Sequence, residues 1–224
     1  MAIGRVINEH SGLFPDFDEI VKKIGYDVYH SNWEMQLFLQ IPNLTKADVL
    51  EYFEHFIMDF ALNGDGEVDS IFMVINKGLA INNPNPTYIS EYINVVGQLF
   101  LAGYIEFGMC GLQDKEENLL SKQKPDKYQS WIHFRDNFFY VEAYYKDILD
   151  LRERYPNMSD EDYFNSTWDT PQFWDKYRFW VATTERGEKY FNEILSPKFY
   201  NKYKDLEVEI DDKGNIIKWI GKIN

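Results

Sequence analysis

Two long apolar stripes at helical spacing constrain the fold of this chain more than any other feature. The first follows residues 45–48, which resemble a helix-capping box with Asp48 in place of the usual glutamate. The second ends at Gly103, a residue that commonly terminates helices. The Asn/Pro-rich residues 82–86 separate the two stripes. We therefore predict helices over about 45–61 and 87–103. The stripes consist of Val49, Leu50, Phe53, Phe56, Ile57, Phe60 and Ala61, and of Ile89, Tyr92, Ile93, Val96, Leu99 and Phe100.

Period-two alternation predicts several short strands. The clearest case is Leu206, Val208 and Ile210, which alternate with acidic residues before a Lys-Gly-Asn turn and so indicate a C-terminal β-hairpin. The same reasoning predicts a half-buried strand within 29–41 and short strands at 104–107, 130–134 and 179–182. Together these elements predict an α+β fold that is mostly helical, with small antiparallel strands and a C-terminal hairpin.

The remaining elements are shorter. Capping and breaker residues predict helices over about 16–23, 65–77 and 135–155, a short helix after Ser159, and a Thr-capped helix that ends at Leu195 before Pro197. The very polar residues 113–127 predict an exposed linker. These boundaries suggest an acidic α/β region at 1–112, an insertion or second subdomain at 113–177, and a helix plus hairpin at 178–224 that packs back on the first region. A single domain is equally compatible with the length.

Two segments resemble parts of winged-helix proteins, namely 87–107 and 179–195. The second, WVATTERGEKYFNEIL from Trp180, is similar to a wing strand that runs into a threonine-capped helix, where Gly187 permits close backbone approach. The first is similar to a recognition helix followed by the other wing strand. The two wing strands would be separated by about seventy residues, where a few to a couple of dozen is usual, so the resemblance implies that 113–177 is an inserted subdomain.

The charge distribution argues against DNA binding, which is the commonest function of winged-helix modules. Residues 1–112 carry fifteen carboxylates and five basic side chains, which accounts for −10 of the formal net charge of −14. Residues 87–103, in the recognition position, include Glu91 and no lysine or arginine. Such a surface repels phosphate backbones and anionic lipid and attracts cationic proteins. We therefore expect a basic protein partner, no nucleic acid and no membrane association.

Composition also bears on the compartment. Cys110 is the only cysteine, so an internal disulfide is excluded. The N-terminal residues lack the apolar run of a signal peptide, and no stretch has the roughly 18 apolar residues of a membrane span. We expect a cytoplasmic protein.

No motif predicts catalysis or cofactor binding, because the chain has neither a Gly-x-Ser-x-Gly elbow nor a glycine-rich phosphate loop. Residues 63–69 imitate a calcium loop, but Ala61 and Phe72 occupy the two end positions that need carboxylates. Glu51 and His55 share one face of the predicted helix at 45–61, which we interpret as a solvated face with a local ion pair. No catalytic residue, metal ligand or cofactor is therefore predicted.

The function that best fits these features is that of a non-enzymatic acidic binding protein. In its most concrete form it is a bacterial immunity or antitoxin-type protein that neutralises a basic protein, such as a nuclease toxin, through charge and aromatic contacts. Two alternatives remain, a winged-helix-type transcription regulator and a hydrolase that uses a carboxylate pair. The oligomeric state stays open. The predicted partner-binding residues are Asp16, Asp18, Glu19, Asp65, Glu67 and Asp69.

Overall fold

A computed structural model describes residues 1–9, 12–17, 33–63, 88–110, 118–141 and 155–224. Within these ranges the fold is α+β, as predicted, with helices and two small antiparallel sheets. The described part of the chain has no helix with the length and apolar character needed to span a membrane.

The elements follow one another in a mixed order. The helices are α1 (Trp33–Phe38), α2 (Lys46–Asn63), α3 (Ile89–Ala102), α4 (Lys127–Phe134), α5 (Asp160–Phe164), α6 (Glu185–Tyr190) and α7 (Ser196–Tyr203). The strands are β1 (Ala2–Arg5), β2 (Ile105–Met109), β3 (Phe179–Thr183), β4 (Leu206–Ile210) and β5 (Ile216–Gly221). Short 3₁₀ turns lie at Leu120–Lys122, Pro171–Phe173 and Lys176–Arg178, and π-helical turns continue α4 (Arg135–Phe139) and α6 (Phe191–Leu195).

The predicted C-terminal hairpin is confirmed as β4 and β5. Its turn places Gly214 at φ 83°, a left-handed conformation that glycine adopts without a steric cost. β4 also pairs with β1, so a three-stranded antiparallel sheet joins the two ends of the chain. Val208 lies opposite both Gly4 and Trp219 in that sheet.

The two strands proposed as wing strands pair with each other. β2 and β3 form an antiparallel ladder in which Phe107 lies opposite Val181. The pairing also brings the start of α6 against the end of α3, because the Thr184 hydroxyl donates a hydrogen bond to the Gly103 carbonyl at 2.6 Å. Gly103 itself adopts φ 76° and ends α3, as predicted. The winged-helix resemblance remains a prediction, since pairing of two strands is common to many folds.

The capping box of α2 is also confirmed. The Thr45 amide donates to the Asp48 carboxylate at 2.7 Å, and the Asp48 amide donates to the Thr45 hydroxyl at 3.3 Å. Thr184 caps α6 in the predicted manner by accepting from the Gly187 amide at 3.1 Å. The short helix after Ser159 is α5, and Ser159 forms a capping box with Asp162.

Two strand predictions are wrong. The part of 29–41 that the structure describes contains α1, in which Met35 and Phe38 are buried three residues apart, a spacing that suits a helix as well as a strand. Residues 130–134 lie in α4, which begins after Asp126 because that carboxylate accepts a hydrogen bond from the Gln129 amide at 2.8 Å.

Two boundary predictions are also wrong. Helical structure continues past Pro197 as α7, since a proline in the first turn of a helix needs no amide partner there. The predicted linker is not exposed throughout, because Asn118 and Leu120 are buried. The Asn118 side chain exchanges hydrogen bonds with the Met109 backbone at 2.9 and 3.0 Å, which ties this segment to the end of β2.

Aromatic rings dominate the described core. Phe134 lies near its centre, with ring centroids 4.8 Å from Phe179 and 5.3 Å from Phe107. Buried residues from all three predicted regions belong to one hydrophobic cluster. The predicted helices at 65–77 and most of 16–23, the breaker at 82–86 and the calcium-like loop beyond Asn63 lie outside the described residues.

Candidate partner-binding surface

Of the six acids predicted to bind a partner, only Asp16 falls within the described residues. Its carboxylate forms two hydrogen bonds with the Arg5 guanidinium, at 2.8 and 3.0 Å, and a third with the Arg5 amide at 2.9 Å. These bonds lower the pKa of Asp16 to about 2. Asp16 therefore fixes a turn against β1, and much of its charge is balanced by Arg5. Asp18, Glu19, Asp65, Glu67 and Asp69 lie outside the described residues, and their role in binding stays a prediction.

The helix face that carries Glu51 and His55 is buried, so the prediction of a solvated face is wrong. α7 covers this face: the His55 ring stacks on Phe199 with centroids 4.3 Å apart, and His55 is 1% exposed. Glu51 does form an ion pair, but its partners are Lys198 and Lys202 of α7, each at 2.5 Å. Lys202 also contacts Asp48 at 2.5 Å, so this charged cluster is balanced internally.

A groove of about 700 Å³ lies between α2, α3 and α7. Its apolar lining includes Leu50, Val95 and Leu99, and Lys46 and Glu91 form an ion pair beside it at 2.7 Å. Burial opposes the charged form of Glu51, but hydrogen bonds from Lys198 and Lys202 outweigh it, and the pKa of Glu51 is lowered. The Lys46 hydrogen bond likewise lowers the pKa of Glu91.

These shifts bear on the hydrolase alternative. A carboxylic general acid that works near neutral pH needs a raised pKa, so that it stays protonated. Glu51 and Glu91 are shifted in the opposite direction. A metal-dependent alternative gains no support either, because the described residues contain no group of three histidine, cysteine or carboxylate side chains placed to hold an ion.

A second surface combines exposed rings with carboxylates, and we call it the acid–aromatic surface. It consists of Asp160, Glu161, Phe164, Asp175 and Tyr177. Phe164 is 67% exposed and Tyr177 is 57% exposed. Exposed rings beside charges of one sign are typical of binding surfaces.

Hydrogen bonds hold the two halves of this surface together. The Tyr163 hydroxyl of α5 donates to the Asp175 carboxylate at 3.3 Å, and the Tyr177 amide donates to the same oxygen at 3.0 Å. Arg178 supports them from beneath: it is buried, and its guanidinium donates to the Phe164 carbonyl at 2.8 Å and to the Ser166 hydroxyl at 2.8 Å. These hydrogen bonds therefore hold the backbone segments that carry Phe164 and Tyr177 in place.

Sequence reasoning assigned 156–177 to an irregular region and did not select it for binding. The available signal was its density of acids and rings. Within 156–177 the sequence has one basic residue, Lys176, and five acids: Asp160, Glu161, Asp162, Asp169 and Asp175. Several of these acids contact other groups of the chain: Asp162 completes the α5 capping box, Asp169 pairs with Lys124 at 3.0 Å, and Asp175 accepts from the Tyr163 hydroxyl and the Tyr177 amide. Sequence alone does not show which of the rings are exposed.

Comparison of the chain with protein-family models, with curated proteins and with solved structures finds no match. The functional argument therefore rests on the described geometry and charge.

Proposed function

We propose that the protein is a non-enzymatic acidic binding protein that neutralises a basic protein, in the manner of an immunity or antitoxin protein against a basic nuclease toxin. The acid–aromatic surface is the observation that carries this proposal. Phe164 and Tyr177 offer apolar area that a partner would remove from water, and the net charge of −14, to which the exposed Glu161 contributes, favours a cationic partner.

The distribution of basic groups supports the same proposal. Many of the described cations already contact acids or rings within the chain, so they are engaged locally and the net charge of the protein stays strongly negative. Ion pairs engage Arg5, Lys46, Lys124, Arg135, Lys198, Lys202 and Lys218. A net charge of −14 then speeds the encounter with a cationic partner, and the rings of the acid–aromatic surface add contact area once the two proteins meet.

Charge neutralisation at this surface should weaken binding to a basic probe. The variant Asp160→Asn/Glu161→Gln removes two exposed charges at the start of α5. We expect it to raise the dissociation constant for a labelled peptide of alternating arginine and lysine by about threefold to tenfold, because each exposed charge contributes about 0.2–1 kcal/mol. Fluorescence anisotropy at about 100 mM salt, where the Debye length is about 10 Å, measures the change in the dissociation constant.

The matched control is Glu185→Gln/Glu188→Gln, which removes the same charge from two exposed positions near the start of α6. Its dissociation constant should stay within about twofold of the unmodified protein, since the long-range field changes equally but the contact surface does not. Two outcomes would reject the proposal. The two variants could weaken binding of the basic peptide equally, or the unmodified protein could bind the basic peptide no more tightly than a peptide of alternating glutamate and serine.

The winged-helix-type regulator remains the alternative from another class, and it rests on the sequence resemblance of 87–107 and 179–195. DNA contact by α3 is still not expected. Its outward side chains are Ser90, Asn94, Gln98 and Leu101, none of which is charged, and the sequence has no lysine or arginine from Leu79 to Asp114.

We therefore expect no measurable binding to duplex DNA at about 150 mM salt, where every DNA contact would need cations to displace condensed counterions. An anisotropy titration with a labelled duplex of mixed sequence tests this, with the same titration at about 50 mM salt as a comparison. Sub-micromolar binding that weakens steeply with salt would instead promote the regulator.

A further inference from the structure

The groove between α2, α3 and α7 combines an apolar floor with polar side chains that could bind a ligand. Leu50 of α2 and Leu99 of α3 contribute to the floor, and Glu54 lies one helical turn beyond Leu50 on the same face of α2. Asn94 and Gln98 are exposed, lie one turn apart on α3, and make no side-chain hydrogen bond within the described ranges. A volume of about 700 Å³ with few polar groups on an apolar lining is typical of a binding site.

The charges that line the groove are paired, with one exception. Glu54 has no cationic contact in the described part of the chain. The hydrogen bond that it accepts comes from a neutral group, the Tyr190 hydroxyl, which lies 2.8 Å from Oε1. The negative charge of Glu54 is therefore available to a cation that enters the groove. The paired groups in or beside the groove are Lys46, Lys198, Lys202, Asp48, Glu51 and Glu91.

The positions of these groups define how an occupant would lie. The ion pair between Lys46 and Glu91 joins the first turns of α2 and α3, so it marks one end of the groove. Glu54 lies eight residues after Lys46, which is about 12 Å along the axis of α2. The Tyr104 ring lines the groove near Glu54, where it stacks on Tyr190 with centroids 4.3 Å apart. An occupant would therefore place apolar groups over the floor and a cation at the Glu54 end.

We propose that this groove docks an amphipathic segment of the basic partner, in which an apolar side chain covers Leu50 and a nearby lysine or arginine binds Glu54. This inference rests on the proposed function and adds a second contact surface to it. The unpaired carboxylate favours a cationic segment over a neutral one. The apolar floor favours an amphipathic segment over one that is only basic.

Three labelled peptides of equal length separate these two contributions. They carry four repeats of Leu-Lys-Ser, of Ser-Lys-Ser or of Leu-Gln-Ser, and each is titrated against the full chain by fluorescence anisotropy at about 100 mM salt. We expect the Leu-Lys-Ser peptide to bind about tenfold more tightly than either of the others, because only this peptide supplies both the apolar side chain and the cation.

Two variants test whether the groove is responsible. Glu54→Gln removes the charge but keeps an oxygen that can accept from the Tyr190 hydroxyl, so the fold should be retained. It should weaken binding of the Leu-Lys-Ser peptide by about fivefold to tenfold and change binding of the Leu-Gln-Ser peptide by less than about twofold. Gln98→Lys adds a cation at an exposed position of the groove, and it should weaken binding of the Leu-Lys-Ser peptide by a similar factor.

Each variant has a control with the same chemical change outside the groove. Glu193→Gln removes a charge at an exposed position after α6, and Gln129→Lys adds one at an exposed position of α4. Neither residue lines the groove. Both controls change the net charge as their counterparts do, so they should alter binding of the Leu-Lys-Ser peptide by no more than about twofold.

The outcomes distinguish this inference from the proposed function. If the Leu-Lys-Ser and Ser-Lys-Ser peptides bind equally well, the groove does not dock an amphipathic segment and the acidic binding protein stands. If the groove variants behave like their controls, the amphipathic peptide binds elsewhere and the inference is wrong. If neither lysine peptide binds more tightly than the peptide of alternating glutamate and serine, the proposed function itself is wrong.

Discussion

Replacing Gly187 with alanine is expected to lower the free energy of unfolding by about 3 kcal/mol. A Cβ atom at this position would lie 1.9 Å from the Tyr104 carbonyl oxygen and 2.7 Å from its carbon. The obstacle is backbone, so it cannot rotate aside as a side chain would. Alanine is otherwise favoured over glycine within a helix by about 1 kcal/mol, so a loss of stability at Gly187 would report the steric clash.

The clash would act on the junction that holds β2, β3 and α6 together. The Tyr104 carbonyl accepts a hydrogen bond from the Thr184 amide at 3.0 Å, and the Thr184 hydroxyl caps α6. Moving α6 away from Tyr104 therefore disrupts the hydrogen bond between Thr184 and Tyr104. Urea unfolding followed by circular dichroism measures the loss. Lys189→Ala, at an exposed position of α6, should change stability by no more than about 0.5 kcal/mol. A Gly187→Ala protein as stable as the unmodified one would show that α6 does not lie against Tyr104.

Sequence reasoning succeeded where the determining residues lie close together in the chain. The caps of α2 and α6, the end of α3 at Gly103 and the C-terminal hairpin each depend on contacts within a few positions. Such contacts involve specific side-chain oxygens or a positive φ angle, so the residue type alone identifies them. Gly187 differs from this group: the resemblance implied a close backbone approach there, but the sequence did not indicate that the neighbour is Tyr104, which lies far earlier in the chain.

Sequence reasoning failed where a short apolar run fits both the two-residue period of a strand and the 3.6-residue period of a helix, because burial then decides between the two. The apolar residues of α1 satisfy both periods, and a short run does not separate them. α4 carried a usable signal, because Pro125 and Asp126 form a typical start for a helix, but residues 130–134 were interpreted as a strand.

The candidate site was least accessible to sequence reasoning because its exposure depends on distant elements. Glu51 and His55 are buried by α7, which follows them by about 140 residues. Within 156–177, Trp168 and Trp174 are buried at 4% and 2% exposure, whereas Phe164 is exposed. Local composition is similar around all three rings, so only the packed structure separates core from surface.

Acidification should destabilise the protein through His55. Burial lowers the pKa of His55 to about 4, although the charge of Glu51 opposes this effect. The unfolded chain has a histidine pKa of about 6.5, so it binds a proton below that pH while the folded protein does not. The free energy of unfolding should therefore fall as the pH decreases from 6.5 to 4, by about 3 kcal/mol in total, and His55 should contribute no further change below pH 4.

Two variants isolate this contribution. His55→Phe removes the titrating ring but keeps a planar side chain that can stack on Phe199. The His55 Nε2 atom has no hydrogen-bond partner among the described residues, so removing this atom breaks no hydrogen bond there. Its stability should depend less on pH, and its difference from the unmodified protein should shift by about 3 kcal/mol between pH 7.5 and 4. Phe191→Leu removes a ring 5.3 Å from His55 without removing the titrating group, so its stability should fall by a similar amount at every pH.

Urea unfolding of the three proteins at half-unit steps of pH measures these differences directly. Other groups that titrate in this range, including Asp59 with a pKa raised by burial, are present in all three proteins and cancel in the comparison. Parallel curves for His55→Phe and the unmodified protein would mean that His55 does not titrate between the folded and unfolded states. α7 would then not enclose the ring as described, and the packing of α7 on α2 that encloses the Glu51 cluster would need revision.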